Sequence, residues 1–215
     1  MEEIAGAGAV VELIGGVVPN TMQKQPSKCS KHELDAFEHM VKRGGEVPAE
    51  GLRKRIERAE WLVFLYAENE VLAGIAALKR PKDTYREKVF RKARATEKPA
   101  DYGLEAGWVF VDEGFRGNGY SRYLLEAVLK LAGDSPVFAT TREDNDPMRR
   151  TTSHCGMKEC GGTYASDRRE GQHTLVLYTS RQGLMDPGNA AQPAVASDER
   201  RGGPPKRHPA SGARR

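Results

Sequence analysis

The sequence predicts an α/β domain, and three observations carry that prediction. An apolar strand pattern over residues 107–112 runs into Arg116, Gly117, Asn118 and Gly119. A helix follows over 120–132, with Tyr120, Leu124, Leu125, Val128 and Leu131 recurring at helical spacing. Two apolar runs, 61–67 and 71–78, are joined by Glu68-Asn69 and read as a hairpin. The chain has 215 residues, room for one substantial core, and its 38% hydrophobic content is low for a wholly folded protein. The shortfall is assigned to a tail. The domain is placed at residues 1–182 and the tail at 183–215.

The elements follow in order. Residues 9–15 suit a first strand between glycines. Ser30 is a helix cap, with Glu33 three residues on as in a capping box. Leu34, Phe37 and Val41 mark one face of that helix, and Gly44-Gly45 ends it. A short second helix starts near Pro48 and buries Leu52 and Ile56. After the hairpin comes a long basic insert at about 80–101. Arg80, Lys82, Arg86, Lys88, Arg91, Lys92, Arg94 and Lys98 outnumber Asp83, Glu87 and Glu97 there. Tyr85, Val89 and Ala93 fall on one face, so part of the insert is a helix beside the site. Residues 136–141 form a strand, 147–155 a helix, and 157–164 and 173–179 two closing strands. From about Met185, Pro187, Pro193, Pro204, Pro205 and Pro209 are mixed with Gly, Ala, Ser and Arg. That composition predicts disorder, and the stretch ends basic.

Charge and cysteines narrow the class. A net charge of +4, from 34 basic and 30 acidic residues, requires no nucleic-acid partner. Cys29, Cys155 and Cys160 make an odd count, which predicts free thiols in a reducing compartment. The apolar run at 5–18 is interrupted by Glu12 and preceded by Glu2 and Glu3. It fits neither a secretory signal nor a membrane span, so a soluble cytoplasmic protein is expected. His154, Cys155 and Cys160 do not complete a tetrahedral set, and no metal is expected.

Strand, glycine loop and helix together can hold a phosphate. Glycines let the backbone approach a ligand, and the first N–H groups of a helix lack partners within it. Aligned peptide dipoles favour an anion at the same place. The loop lacks the Gly-Lys-Ser/Thr ending of a P-loop and the full Gly-x-Gly-x-x-Gly of a dinucleotide site. It resembles instead the acyl-coenzyme A loop of the GCN5-related N-acetyltransferases (GNAT), Gln/Arg-x-x-Gly-x-Gly/Ala, filled here by Arg116, Gly119 and Ser121. The element order from Trp61 to Thr179 is similar to that fold, which implies a central mixed, mostly antiparallel sheet flanked by helices.

The resemblance implies aminolysis of the thioester of acetyl-CoA by a primary amine. Gly117, Asn118, Gly119, Tyr120 and Ser121 would hold the pyrophosphate, mostly through main-chain N–H groups, with Arg116 adding charge. Glu105, six residues before Val111 on the strand, resembles the base of histone-acetylating members. Its other reading is a strand-edge glutamate facing water or paired with a basic side chain. A backbone N–H near Val111, with Phe110 beside it, would stabilise the oxyanion. Asn145 resembles the asparagine that contacts the pantetheine arm, and it is also a good helix cap. The chain departs from the pattern where many members place a tyrosine as proton donor: that position is Thr152. Ser153, His154 or Tyr164 could replace it, and spacing selects none. The acceptor is expected to be a small-molecule or peptide amine, and the basic insert would favour an acidic one. An amine borne on nucleic acid is the less favoured alternative, and a silent acyl-CoA-binding module a third. No membrane partner is expected, and a homodimer is left open.

Overall fold

The computed structural model describes residues 19–167 and 173–181. The strand expected at 9–15 and the tail from 183 lie outside them. Eight strands form one sheet: β1 (Asn20–Lys24), β2 (Trp61–Tyr66), β3 (Leu72–Lys79), β4 (Leu104–Val111), β5 (Val137–Arg142), β6 (Lys158–Glu159), β7 (Tyr164–Ala165) and β8 (Thr174–Ser180). Their order is β1-β2-β3-β4-β5-β8-β6, with β7 also on β8. Every pairing is antiparallel except β4 with β5. Among the described residues five α-helices flank the sheet: α1 (Lys31–Gly44), α2 (Leu52–Glu57), α3 (Asp83–Ala93), α4 (Tyr120–Ala132) and α5 (Asp146–His154). This is the mixed, mostly antiparallel α/β architecture expected from the sequence.

The apolar run of β2 is continuous because both of its faces are buried. Leu62 and Phe64 pack under α1 and α2 with Phe37, Val41, Leu52 and Ile56. Val63 and Leu65, at the alternate positions, pack under α4 with Leu124, Leu125 and Val128. Each such side chain, fully buried, contributes about 1.5–3 kcal/mol. A third cluster fixes α3: Val89, Phe90 and Ala93 pack against Tyr102, Phe138 and Leu177.

The capping box at Ser30 is formed in both directions. The Ser30 hydroxyl accepts from the Glu33 N–H, and the Glu33 carboxylate accepts from the Ser30 N–H. Ser30→Ala is expected to cost about 1 kcal/mol of stability, read by urea denaturation. An unchanged midpoint would show that α1 is held by its packed face alone.

Two departures from the sequence reading have a visible physical cause. The second helix begins at Leu52, not near Pro48. Gly51 sits at its N-cap in the left-handed region (φ 63°), and the Arg55 guanidinium ties the Pro48 and Glu50 carbonyls into a turn. The strand expected at 157–164 is two short pieces. Gly161 has φ 76°, and a Cβ there would lie 2.1 Å from the Ala93 carbonyl oxygen. The Gly162 N–H donates to that same carbonyl at 2.7 Å, so the chain leaves the sheet to close the end of α3. Among the described residues no helix is long and apolar enough to cross a membrane.

Candidate active site

The site is organised by what β4 does between its neighbours. Its parallel pairing with β5 covers only Leu104↔Val137 and Glu105↔Phe138, after which the two strands part. On the other side the register with β3 slips between Ile75↔Phe110 and Ala77↔Gly107, so Trp108 and Val109 together face one residue, Ala76. This is a β-bulge, a feature that re-aims the strand. Trp108 takes φ 53°, rare for a bulky residue. Its ring packs edge-on to Phe37 at 6.1 Å.

The bulge sets which backbone groups face the gap. The Asp112 N–H donates to the Ala73 carbonyl on β3 at 2.9 Å. By strand alternation Val111 therefore presents its N–H and carbonyl to the β5 side. Arg116 Nε reaches the Val111 carbonyl at 3.3 Å. Phe110 lines the cavity below, but the same alternation turns its N–H toward β3.

A cavity of about 830 Å³ opens along this gap, bordered by Val111, Arg116, Gly117, Gly119, Tyr120 and Ser121. Gly117 and Gly119 have φ 88° and 72°, and nothing lies within 4 Å of where their Cβ atoms would be. Gly119 is the N-cap of α4 and no side chain caps that helix end. The first N–H groups of α4 thus reach the cavity wall beside two glycines that add no side chain there. Ser121 also bonds Thr151 of α5 through their hydroxyls at 3.2 Å. The Asn118 side chain turns away and donates to the Phe115 carbonyl at 3.1 Å, holding the preceding turn. Arg43 of α1 grips Asp112 with two bonds of 2.5 and 2.8 Å and lines the same cavity. That guanidinium holds the Asp112 carboxyl below the usual range.

A second cavity of about 570 Å³ lies on the other side of the bulge, and Trp108, Val109, Asn145 and Met148 line both. Asn145 accepts from the Met148 N–H at 3.2 Å, so its cap role is filled where it borders both spaces. Glu105 is on the wall of the second cavity and only 5% exposed. Lys79 Nζ lies 2.7 Å from its carboxylate, and the Tyr85 hydroxyl donates to the same oxygen at 3.4 Å. The charge of Glu105 is the main cause that pushes the Tyr85 phenol well above its usual pKa.

Of the proton donors that the sequence left open, Ser153 and His154 are exposed and away from either cavity. Thr152 and Tyr164 line the second one. The Thr152 hydroxyl is committed to the Met148 carbonyl at 2.8 Å. Tyr164 is buried, which raises its pKa, and Glu105 raises it further. The basic insert is less positive at the site than its composition suggests: Lys88 and Lys92 of α3 both pair with Asp167, at 2.9 and 3.0 Å. Cys155 is packed in the core and Cys160 donates to Glu97, and burial pushes their thiols to about 11 and about 12. Lys79 and Tyr85 are the side chains on Glu105 that sequence reasoning missed. Tyr85 was visible only as one face of a helix, and Lys79 reaches Glu105 only through the cross-strand register Lys79↔Glu105.

Comparison with known proteins bears on the fold and the family. Several solved structures share the fold. An acyl-CoA N-acyltransferase from Pseudomonas aeruginosa superposes with a TM-score of 0.55 at 13% identity, covering 75% of this chain and 99% of that one. The Salmonella typhimurium protein yncA, solved with its cofactor acetyl-CoA, gives 0.53 at 15% identity over 83% of this chain and 99% of its own. The ribosomal-protein-S18-alanine N-acetyltransferase from Escherichia coli gives 0.53 at 14% identity, over 80% and 99%. No curated protein matches the sequence. The sequence model of the acetyltransferase (GNAT) family matches residues 30–157, and the chain belongs to that family.

Proposed function

We propose that this protein transfers the acetyl group of acetyl-CoA to a primary amine, with Glu105 as the base. One observation carries the reading. Two cavities meet at the β4 bulge, one beside an uncapped helix N-terminus and the other holding a buried carboxylate. The first suits an elongated phosphorylated ligand. Gly117 and Gly119 leave room for a pyrophosphate against the N–H groups of α4, and Arg116 adds a positive charge. Where β4 and β5 part, the slot between them leaves room for an amide-containing arm.

Bound acetyl-CoA supplies an activated acyl group whose thiolate is a good leaving group. The chain's own residues supply the rest. The N–H of Val111 faces the gap and can stabilise negative charge on a carbonyl oxygen. Glu105, across the bulge, takes a proton from the attacking ammonium directly or through water. Tyr85 and Lys79 hold that carboxylate in one orientation. Tyr164 has a hydroxyl available on the same wall as a donor, and its raised pKa keeps it protonated.

The test is a screen of amine, amino-acid, peptide and RNA acceptors with acetyl-CoA, following thiol release and product mass. Acceptor-dependent thiol release with a product one acetyl group heavier is expected. Binding of acetyl-CoA without transfer to any acceptor would leave a binding module and remove the enzyme reading.

A further inference from the structure

The ion pair between Lys79 and Glu105 stands inside the second cavity, where an acceptor amine has to give up its proton. The two side chains are 17% and 6% exposed and 2.7 Å apart. Lys79 is seated there by its surroundings. Its ammonium lies over the Trp108 ring at 5.0 Å. A Cβ on Gly107 would come within 2.6 Å of both Lys79 Cε and Nζ, so a bare backbone at 107 is what lets the lysine lie across β4.

We propose that the acceptor is a small amino acid, whose carboxylate takes Lys79 as its amine takes Glu105. This rests on reading the second cavity as the acceptor site. A plain amine that reaches Glu105 displaces Lys79 and leaves a buried ammonium without its counter-ion, a strongly unfavourable exchange. The nearby carboxylates are already engaged. Asp167 is held by Lys88 and Lys92, and Glu46 by Arg142 at 3.5 Å. An acceptor carrying its own carboxylate replaces one buried ion pair by two, and no charge is stranded. The cavity, about 570 Å³ with Val89, Leu125 and Leu175 on its wall, is of small-molecule size and suits an apolar side chain. In the transfer itself a C–N bond forms at the thioester carbon as the C–S bond breaks. The ammonium gives one proton to Glu105 and one to solvent, and the thiolate departs.

The first measurement is calorimetric titration of the protein, without acetyl-CoA, with a panel of amino acids and their amides. It is made at about pH 6.5, where both amines are protonated. The amino acid is expected to bind roughly thirtyfold or more tightly than its amide. Lys79→Met should bring that ratio close to one, and Lys79→Arg should retain part of it. Gly107→Ala keeps the lysine but pushes it off its seat, so it should also lower the ratio and serves if Lys79→Met does not fold. The ratio of transfer rates for acid and amide should follow the same order. Equal binding of acid and amide, or an unchanged ratio in Lys79→Met and Gly107→Ala, would overturn the proposal. So would acetylation found on Lys79 itself by peptide mass, which would make the lysine the acceptor. Transfer to amides or plain amines but not to amino acids sinks this inference and leaves the acetyltransferase reading standing. Absence of transfer to every acceptor removes both.

Discussion

Glu105→Gln is expected to lower turnover of a primary amine by roughly a hundredfold or more at pH 7, with acetyl-CoA binding nearly unchanged. The glutamine keeps the size of the side chain and can still bond Tyr85, but it cannot accept a proton. An alkyl ammonium of pKa about 10.4 is neutral in only about one molecule in 2,500 at pH 7, a deficit of roughly 4.6 kcal/mol. A base near the amine offsets that deficit. The defect should therefore shrink as pH rises toward the pKa of the amine, because solvent then supplies the neutral nucleophile. Tyr164 does not confuse the profile, because its phenol is raised chiefly by burial, which the substitution leaves in place. A defect constant with pH would assign Glu105 a positioning role beside Lys79, and normal turnover at pH 7 would remove it from the reaction.

The parts of this fold that were legible in the sequence are those whose signal is local. The capping box at Ser30 and Glu33, the two-faced apolar run of β2 and the α4 stripe each lie within one element, and each was found close to its true limits. Strand β1 was missed because its five residues, Asn20–Lys24, are mostly polar. Only Met22 packs against the core, so no period appears. The break between β6 and β7 was missed because its cause is the Ala93 carbonyl, far away in sequence, pressing on Gly161. The same division runs through the site. The glycine loop announces itself by composition. The partner of Glu105 does not, because Lys79 meets it through a register that shifts at the bulge. The charge that α3 presents at the site is likewise not legible from its composition, because Asp167, distant in sequence, pairs with both Lys88 and Lys92.

Gly119→Glu is expected to abolish the stabilisation of the protein by acetyl-CoA. A ligand that binds only the folded state contributes about 2.7 kcal/mol when present at a hundredfold excess over its Kd. For a domain of this size that amounts to a rise in Tm of roughly 5–10 °C. Gly119 sits at the start of α4 with φ 72°, and no heavy atom lies within 4 Å of its Cβ position. A glutamate there projects a long side chain and a negative charge in front of the helix N–H groups, which the proposed function assigns to the pyrophosphate. The carboxylate itself satisfies those donors and repels the phosphates. Backbone strain has to be separated from this effect, since any side chain at a positive φ destabilises the loop. Gly119→Ala supplies the control. It carries the same conformational cost without the charge or the reach, so it should lower the starting Tm while keeping most of the shift with acetyl-CoA. A folded Gly119→Glu protein that still gains the full shift would show that the cofactor does not use this loop. Loss of the shift in both variants alike would assign the effect to loop geometry, with the charge playing no part.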